Sequence, residues 1–170
     1  MAKPTVCIAA ILFLLAFLVP SGALAAGSPG VRVIGNENEV LAIFKTAKCT
    51  KGKPRKGGVS FYADATSTNG EYELLAAIVL DFTGFHEYDL TLSPDANPYL
   101  RFSRVGDFAS GGYSNEFVPP YPVPGFGQIN FSKDGRRMGV GFGPAMWSRD
   151  FSDAVVLAGG LECRYPRKKR

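Results

Sequence analysis

The chain has 170 residues, 46% of them hydrophobic and 20% charged, with a formal net charge of +4. That balance excludes an extended disordered chain, and beyond the first residues no run is apolar enough to cross a membrane. A single histidine excludes zinc sites built on two or three His ligands.

Residues 1–25 read as a secretory signal. Lys3 is the only charge before Arg32. Val6 to Val19 is almost wholly apolar, and Ala23 and Ala25 occupy the small-residue positions of a cleavage site. The apolar run is shorter than the roughly 20 residues of a spanning helix. Cys7 precedes most of that run, which argues against lipid attachment there. Cleavage after Ala25 leaves one domain, 26–165, and a basic tail, 166–170, and places the protein in the secreted or cell-surface compartment.

Through the rest of the chain the dominant hydrophobic period is two, the period of half-buried strands. Strands are expected at Val31 to Ile34 and Val40 to Cys49. Next come a strand carrying Val59, Phe61, Ala63 and Ala65 on one face, and one carrying Tyr72, Leu74, Ala76, Ile78, Leu80 and Phe82. The segment Glu73 to Leu80 has helical propensity, but Asn69-Gly70 and Thr83-Gly84 bound it as turns, so a strand is predicted. Further strands are expected over Tyr88 to Leu92, Tyr99 to Val105, Gly127 to Phe131 and Met138 to Phe142. In the last strand, Val155, Leu157, Gly159, Leu161 and Cys163 share a face. Asp134-Gly135 between two β runs signals a hairpin, because these residues tolerate positive φ. Phe117 to Phe126 contains four prolines and reads as an extended loop, and Thr50 to Gly58 reads as a solvated connection. The expected fold is all-β: one antiparallel β-sandwich or flattened barrel of about eight or nine strands.

Cys49 and Cys163 are the two cysteines that remain after cleavage. Neither lies in a C-x-x-C, and an even pair in an oxidising compartment is expected to form a disulfide. That bridge pins the two ends of the fold together.

The final third, Gly127-Gln128-Ile129-Asn130-Phe131-Ser132-Lys133-Asp134-Gly135, Gly139-Val140-Gly141-Phe142 and Val156 to Cys163, resembles the closing strands of small exported β-sandwich proteins from actinobacteria. The resemblance implies export, a sandwich fold and an early cysteine joined to one in the last strand. It carries no catalytic residues.

Enzyme motifs find little support. There is no Gly-x-Ser-x-Gly turn and no phosphate-cradling glycine loop before a helix, so no nucleotide is expected. Gly139-x-Gly141-x-Gly143 lies in strand context, where glycines mark bulges or close packing. The carboxylate pairs Glu71/Glu73, Glu87/Asp89 and Asp150/Asp153 leave open a hydrolase using surface carboxylates, and Asp150 and Asp153 a weak calcium site. A solvated sheet face explains the first two pairs as well. Neither catalytic residues nor a cofactor or metal are assigned.

Charge is more informative. Lys48, Lys51, Lys53, Arg55 and Lys56 surround Cys49, as does Lys45, and Arg164, Arg167, Lys168, Lys169 and Arg170 follow Cys163. A Cys49–Cys163 bond gathers both clusters into one basic pole, which attracts an anionic surface or polymer. The competing reading is a solvated tail and loop. A carbohydrate- or small-ligand-binding module is the other alternative, with Tyr113, Tyr121, Phe126 and Trp147 as its aromatic platform. The leading expectation is a binding or surface-interaction module and not an enzyme.

Overall fold

The computed structural model describes residues 30–35, 39–52, 58–120, 127–140 and 146–166. The secretory signal expected at 1–25 lies outside them, as do 53–57, 121–126, 141–145 and 167–170. Among the described residues no helix is long and apolar enough to cross a membrane.

The fold is all-β. Its strands are β1 (Val31–Ile34), β2 (Val40–Phe44), β3 (Thr46–Lys51), β4 (Phe61–Thr66), β5 (Tyr72–Ile78), β6 (Tyr88–Asp89) and β7 (Tyr99–Arg104). After a single turn of helix, α1 (Phe108–Gly111), follow β8 (Tyr113–Ser114), β9 (Gln128–Phe131), β10 (Arg137–Val140), β11 (Met146–Ser148) and β12 (Ala154–Arg164). All twelve belong to one hydrogen-bonded sheet, in place of the eight or nine strands expected. Two differences account for most of the count. The expected strand Val40 to Cys49 divides at Lys45, and β8 and β11 are too short to show a period of two.

The division at Lys45 has a physical cause. β2 pairs with β1, and β1 pairs with the first half of β12, both antiparallel. β1 begins at Val31, opposite Phe44 and Gly159. Past that point nothing separates the continuing chain from β12, so β3 pairs directly with β12 and in parallel, Cys163 against Ala47 and Arg164 against Lys48. The Glu162 N–H donates to the Lys45 carbonyl at 2.9 Å across the change of partner. Two glycines permit the convergence. Gly159 has φ +118°, and a Cβ there would collide with the Gly30 carbonyl oxygen. A Cβ on Gly30 would lie 2.6 Å from the Phe44 oxygen.

The pairings form a closed circuit of seven strands, from β3 through β4, β5, β7, β8 and β11 to β12 and back to β3. β1–β2 and β10–β9–β6 branch from β12. Alternation sends Phe61, Ala63 and Ala65 of β4 and Leu74, Ala76 and Ile78 of β5 into the core, with Val155, Leu157, Leu161 and Cys163 of β12. Phe44, Phe61 and Phe102 fill its centre. A fully buried side chain of this kind contributes about 2–3 kcal/mol.

Cys49 and Cys163 are joined as a disulfide with Cα atoms 5.3 Å apart. Their register partners across β4 and β3 are Ala63 and Ala47, whose small side chains leave room for the buried bridge. A disulfide of this kind is compatible with an oxidising compartment.

Candidate functional site

Because β3 and β12 are parallel, both end on the same side of the sheet, and each runs directly into a basic segment of sequence. Cys49 and Cys163 face inward, so their strand neighbours Lys48 and Arg164 face outward. Asp64 of β4, Lys48 of β3 and Arg164 of β12 form one row across the outer face. Two cations directly opposite each other repel. Asp64 beside Lys48 and Glu162 beside Arg164 (3.9 Å) moderate that repulsion. The row floors a shallow depression of about 440 Å³ lined by Thr46, Lys48, Asp64, Thr66, Arg164 and Tyr165.

Of the basic residues expected to gather, Lys48 and Arg164 are brought together in this way, while Lys51 ends β3 on the other face, over the Phe82 and Phe85 rings. Lys53, Arg55, Lys56, Arg167, Lys168, Lys169 and Arg170 lie outside the described residues. The hairpin between β9 and β10 adds Lys133 and Arg136 at the same end, with the Cys163 N–H donating to the Arg136 carbonyl at 2.7 Å. Arg136 is paired with Asp134 at 3.7 Å. This pair and Arg164–Glu162 are exposed, and such pairs hold their partners weakly.

An aromatic cluster underlies Lys51 at this end of the sheet. Phe61, Phe82, Phe85, Tyr88 and Phe131 pack ring against ring. The Lys51 ammonium sits 3.8 Å from the Phe85 ring centre, a cation–π contact. Phe85 packs on Gly135, where a Cβ would collide with the ring. Gly135 also has the positive φ (+69°) of the expected turn. The Tyr165 hydroxyl donates to the Gly135 carbonyl at 2.9 Å. Burial pushes the Tyr165 phenol up, with the Asp134 carboxylate adding to the rise. Asp134 itself is pulled down by the Ser132 hydroxyl and the Arg136 N–H. None of these contacts is visible at short range in the sequence, though Tyr165 follows the last cysteine by two residues.

Comparison with protein families, curated proteins and solved structures returns no match.

Five of the six carboxylates in the three pairs, Glu71, Glu73, Asp89, Asp150 and Asp153, hold local structure. Glu71 accepts from the Asn69 amide, and Glu73 from the Ser103 hydroxyl (3.0 Å) and the Gly106 N–H. Asp89 accepts from Gln128. Asp150, lowered to about 2 by hydrogen bonds from the Ser152 and Ser148 hydroxyls, organises its own turn. Asp153 accepts from the Tyr113 hydroxyl at 2.8 Å. Burial and that bond push the Tyr113 phenol up to about 12. Among the described residues no three His, Cys, Asp or Glu side chains converge as metal ligands. Of the expected aromatic platform, Tyr121 and Phe126 lie outside the described residues. Tyr113 packs against Phe102, with ring centres 5.8 Å apart, and Trp147 lies in β11.

A second depression, about 230 Å³, lies over β4, β5 and β7 beside Asp64, Glu73, Arg101, Ser103 and Phe108. Glu73 and Arg101 there are already engaged. Arg101 forks onto Glu116 (2.7 and 3.3 Å) and stacks over Tyr99 and Phe108. The pole at the ends of β3 and β12 is therefore the stronger candidate.

Proposed function

We propose that this protein is an exported, non-enzymatic domain that binds anionic surfaces or polymers outside the cell through its basic pole. In architectural terms the seven-strand circuit is read as a small flattened barrel with two side branches. The observation that carries the functional reading is the parallel β3–β12 pair, which sets Lys48 opposite Arg164. In the sequence these two strands run on into two basic stretches, residues 51–56 and 164–170. Seven of those cations, three in 53–56 and four in 167–170, have no acidic residue in their own segment. Held near an anionic membrane, each basic residue contributes about 1 kcal/mol. Screening reaches about 8 Å at physiological salt, so the charges must act together.

The test is cosedimentation of the mature protein with anionic wall polymer or phosphatidylglycerol vesicles across a salt series. Binding is expected to fall steeply with salt and to weaken in Lys48→Glu/Arg164→Glu. Deleting Arg167 to Arg170 weakens it again without unfolding the domain, since that tail lies beyond the disulfide. Binding indifferent to salt and to both changes overturns the proposal.

A further inference from the structure

The basic end of the molecule also carries exposed apolar groups, and one of them is held in an unusual way. β5 ends at Ile78, on the same side of the sheet as the end of β3: Phe61 pairs with both Ile78 and Lys51. Two residues later Leu80 stands 47% exposed with φ +66°. An exposed leucine is by itself unremarkable on a protein surface. A leucine in the left-handed region is not, because its Cβ crowds the backbone and glycine or asparagine takes that conformation at less cost.

The surrounding chain enforces the conformation. The Leu80 N–H donates to the Ser60 hydroxyl at 3.1 Å, and the neighbouring Val79 N–H to the Asn97 side chain at 2.8 Å. Phe82 donates its N–H to the Val59 carbonyl at 3.0 Å. Gly58 lies so close to the Leu80 carbonyl that a Cβ there would overlap it. The turn is thus clamped on both sides and presents its side chain outward. Following the rings from Phe82 to Phe85 (5.6 Å) and from Phe85 to Tyr165 (6.5 Å) leads to a second exposed apolar group, Tyr165, at 37% exposure. Lys51 lies over Phe85 between them.

An outward leucine in the left-handed region, linked through Phe82 and Phe85 to Tyr165 with the Lys51 ammonium over the ring between them, matches the boundary between lipid headgroups and acyl chains. There cations meet anionic phosphates, while tyrosine and leucine enter the apolar edge. A soluble polyanion has no use for Leu80. We infer that the anionic partner of this pole is a lipid bilayer, with Leu80 and Tyr165 entering the headgroup–acyl boundary. This rests on the anionic-surface reading above and narrows it.

The test compares two probes, phosphatidylglycerol–phosphatidylcholine vesicles and soluble polyphosphate, with the full mature protein. Leu80→Gly and Leu80→Asn suit the left-handed backbone, so both are expected to fold at least as stably as the natural chain. Each should lower vesicle partitioning about fivefold, the loss of partial burial of one leucine, and leave polyphosphate binding unchanged. Val105→Ser changes an exposed apolar residue at the opposite end of the sheet and should alter neither. Leu80→Trp should shift its emission to the blue on vesicles and not on polyphosphate. Unchanged vesicle binding by Leu80→Gly and Leu80→Asn, or equal losses on both probes, overturns the bilayer assignment while salt-dependent binding preserves the anionic-surface reading. Failure of the natural protein to bind either probe removes both.

Discussion

Gly159 offers a sharp test of how the three strands converge at the start of β1. Alanine at this position meets two separate penalties. The backbone angle, φ +118°, lies outside the common left-handed basin, and a side chain held there costs about 1–3 kcal/mol. The added methyl also collides with the Gly30 carbonyl oxygen and approaches the Gly30 carbon at 3.2 Å and the Val31 Cα at 3.4 Å. These are backbone atoms of a paired strand, so relief requires moving β1, at about 1–3 kcal/mol for overpacking. Together the penalties reach about 2–6 kcal/mol, a large share of the stability of an ordinary domain. Gly106→Ala is the reference, since Gly106 has φ +77° and open space around its Cα, leaving only a backbone cost of about 1–2 kcal/mol. Urea unfolding of the oxidised proteins measures both. The midpoint of Gly159→Ala should fall well below that of Gly106→Ala with the slope of the transition unchanged. Equal midpoints would refute the account of why β3 and β12 meet in parallel.

Three further outcomes are expected. Replacing Cys49 and Cys163 together by Ala should lower stability by about 5 kcal/mol, the chain-entropy value for a loop of 114 residues, read by urea unfolding; natural-like stability would show that the bridge is dispensable. Asn115 is fully buried, accepts the Leu100 N–H at 2.7 Å and donates to the Thr91 and Pro98 carbonyls. Asn115→Leu strands these groups and should cost about 2–4 kcal/mol in the same assay, whereas loss of Ser132, at the exposed hairpin, should cost far less. The Tyr113 phenol is raised to about 12 from an ordinary 10, so its contribution is intact below pH 10 and lost as pH rises from 10 to 12. Tyr113→Phe should flatten that part of the stability–pH curve, with the remainder due to Tyr99 and Tyr165, which are raised in the same direction.

The elements legible in the sequence are those whose burial alternates over many residues. β12 reads correctly from Val155 to Cys163 because each second side chain enters the core, and β4 and β5 follow the same rule. The Asp134-Gly135 turn and the cysteine pair were equally plain, since each depends on a local or arithmetic constraint. What the residues concealed are features set by partners distant in the chain. Nothing in Val40 to Cys49 announces a break at Lys45, because the break follows from where β1 begins. The strand through Leu80 and Phe82 looks continuous by period, yet it ends at Ile78 because Gly58 and Ser60 close on the following turn. The same limit applies to the candidate site. The basic clusters are visible as composition, but the parallel register that opposes Lys48 to Arg164 is not, nor is the ring cluster that brings Phe85 and Tyr165 together beside Lys51.

The circuit of strands bears on how the molecule behaves at high concentration. A sheet that closes through seven strands has no open rim along that path where a stranger's backbone can dock, and rims of that kind are where β proteins template one another into aggregates. Two described strands terminate the branches. Tyr88–Asp89 offers only two residues. Val40–Phe44 is longer, but the N–H of Thr68 already takes the Ile43 carbonyl at 2.9 Å, so the turn after β4 covers part of its outer side. A domain built in this way can be concentrated with little open strand edge, among its described residues, to recruit its neighbours.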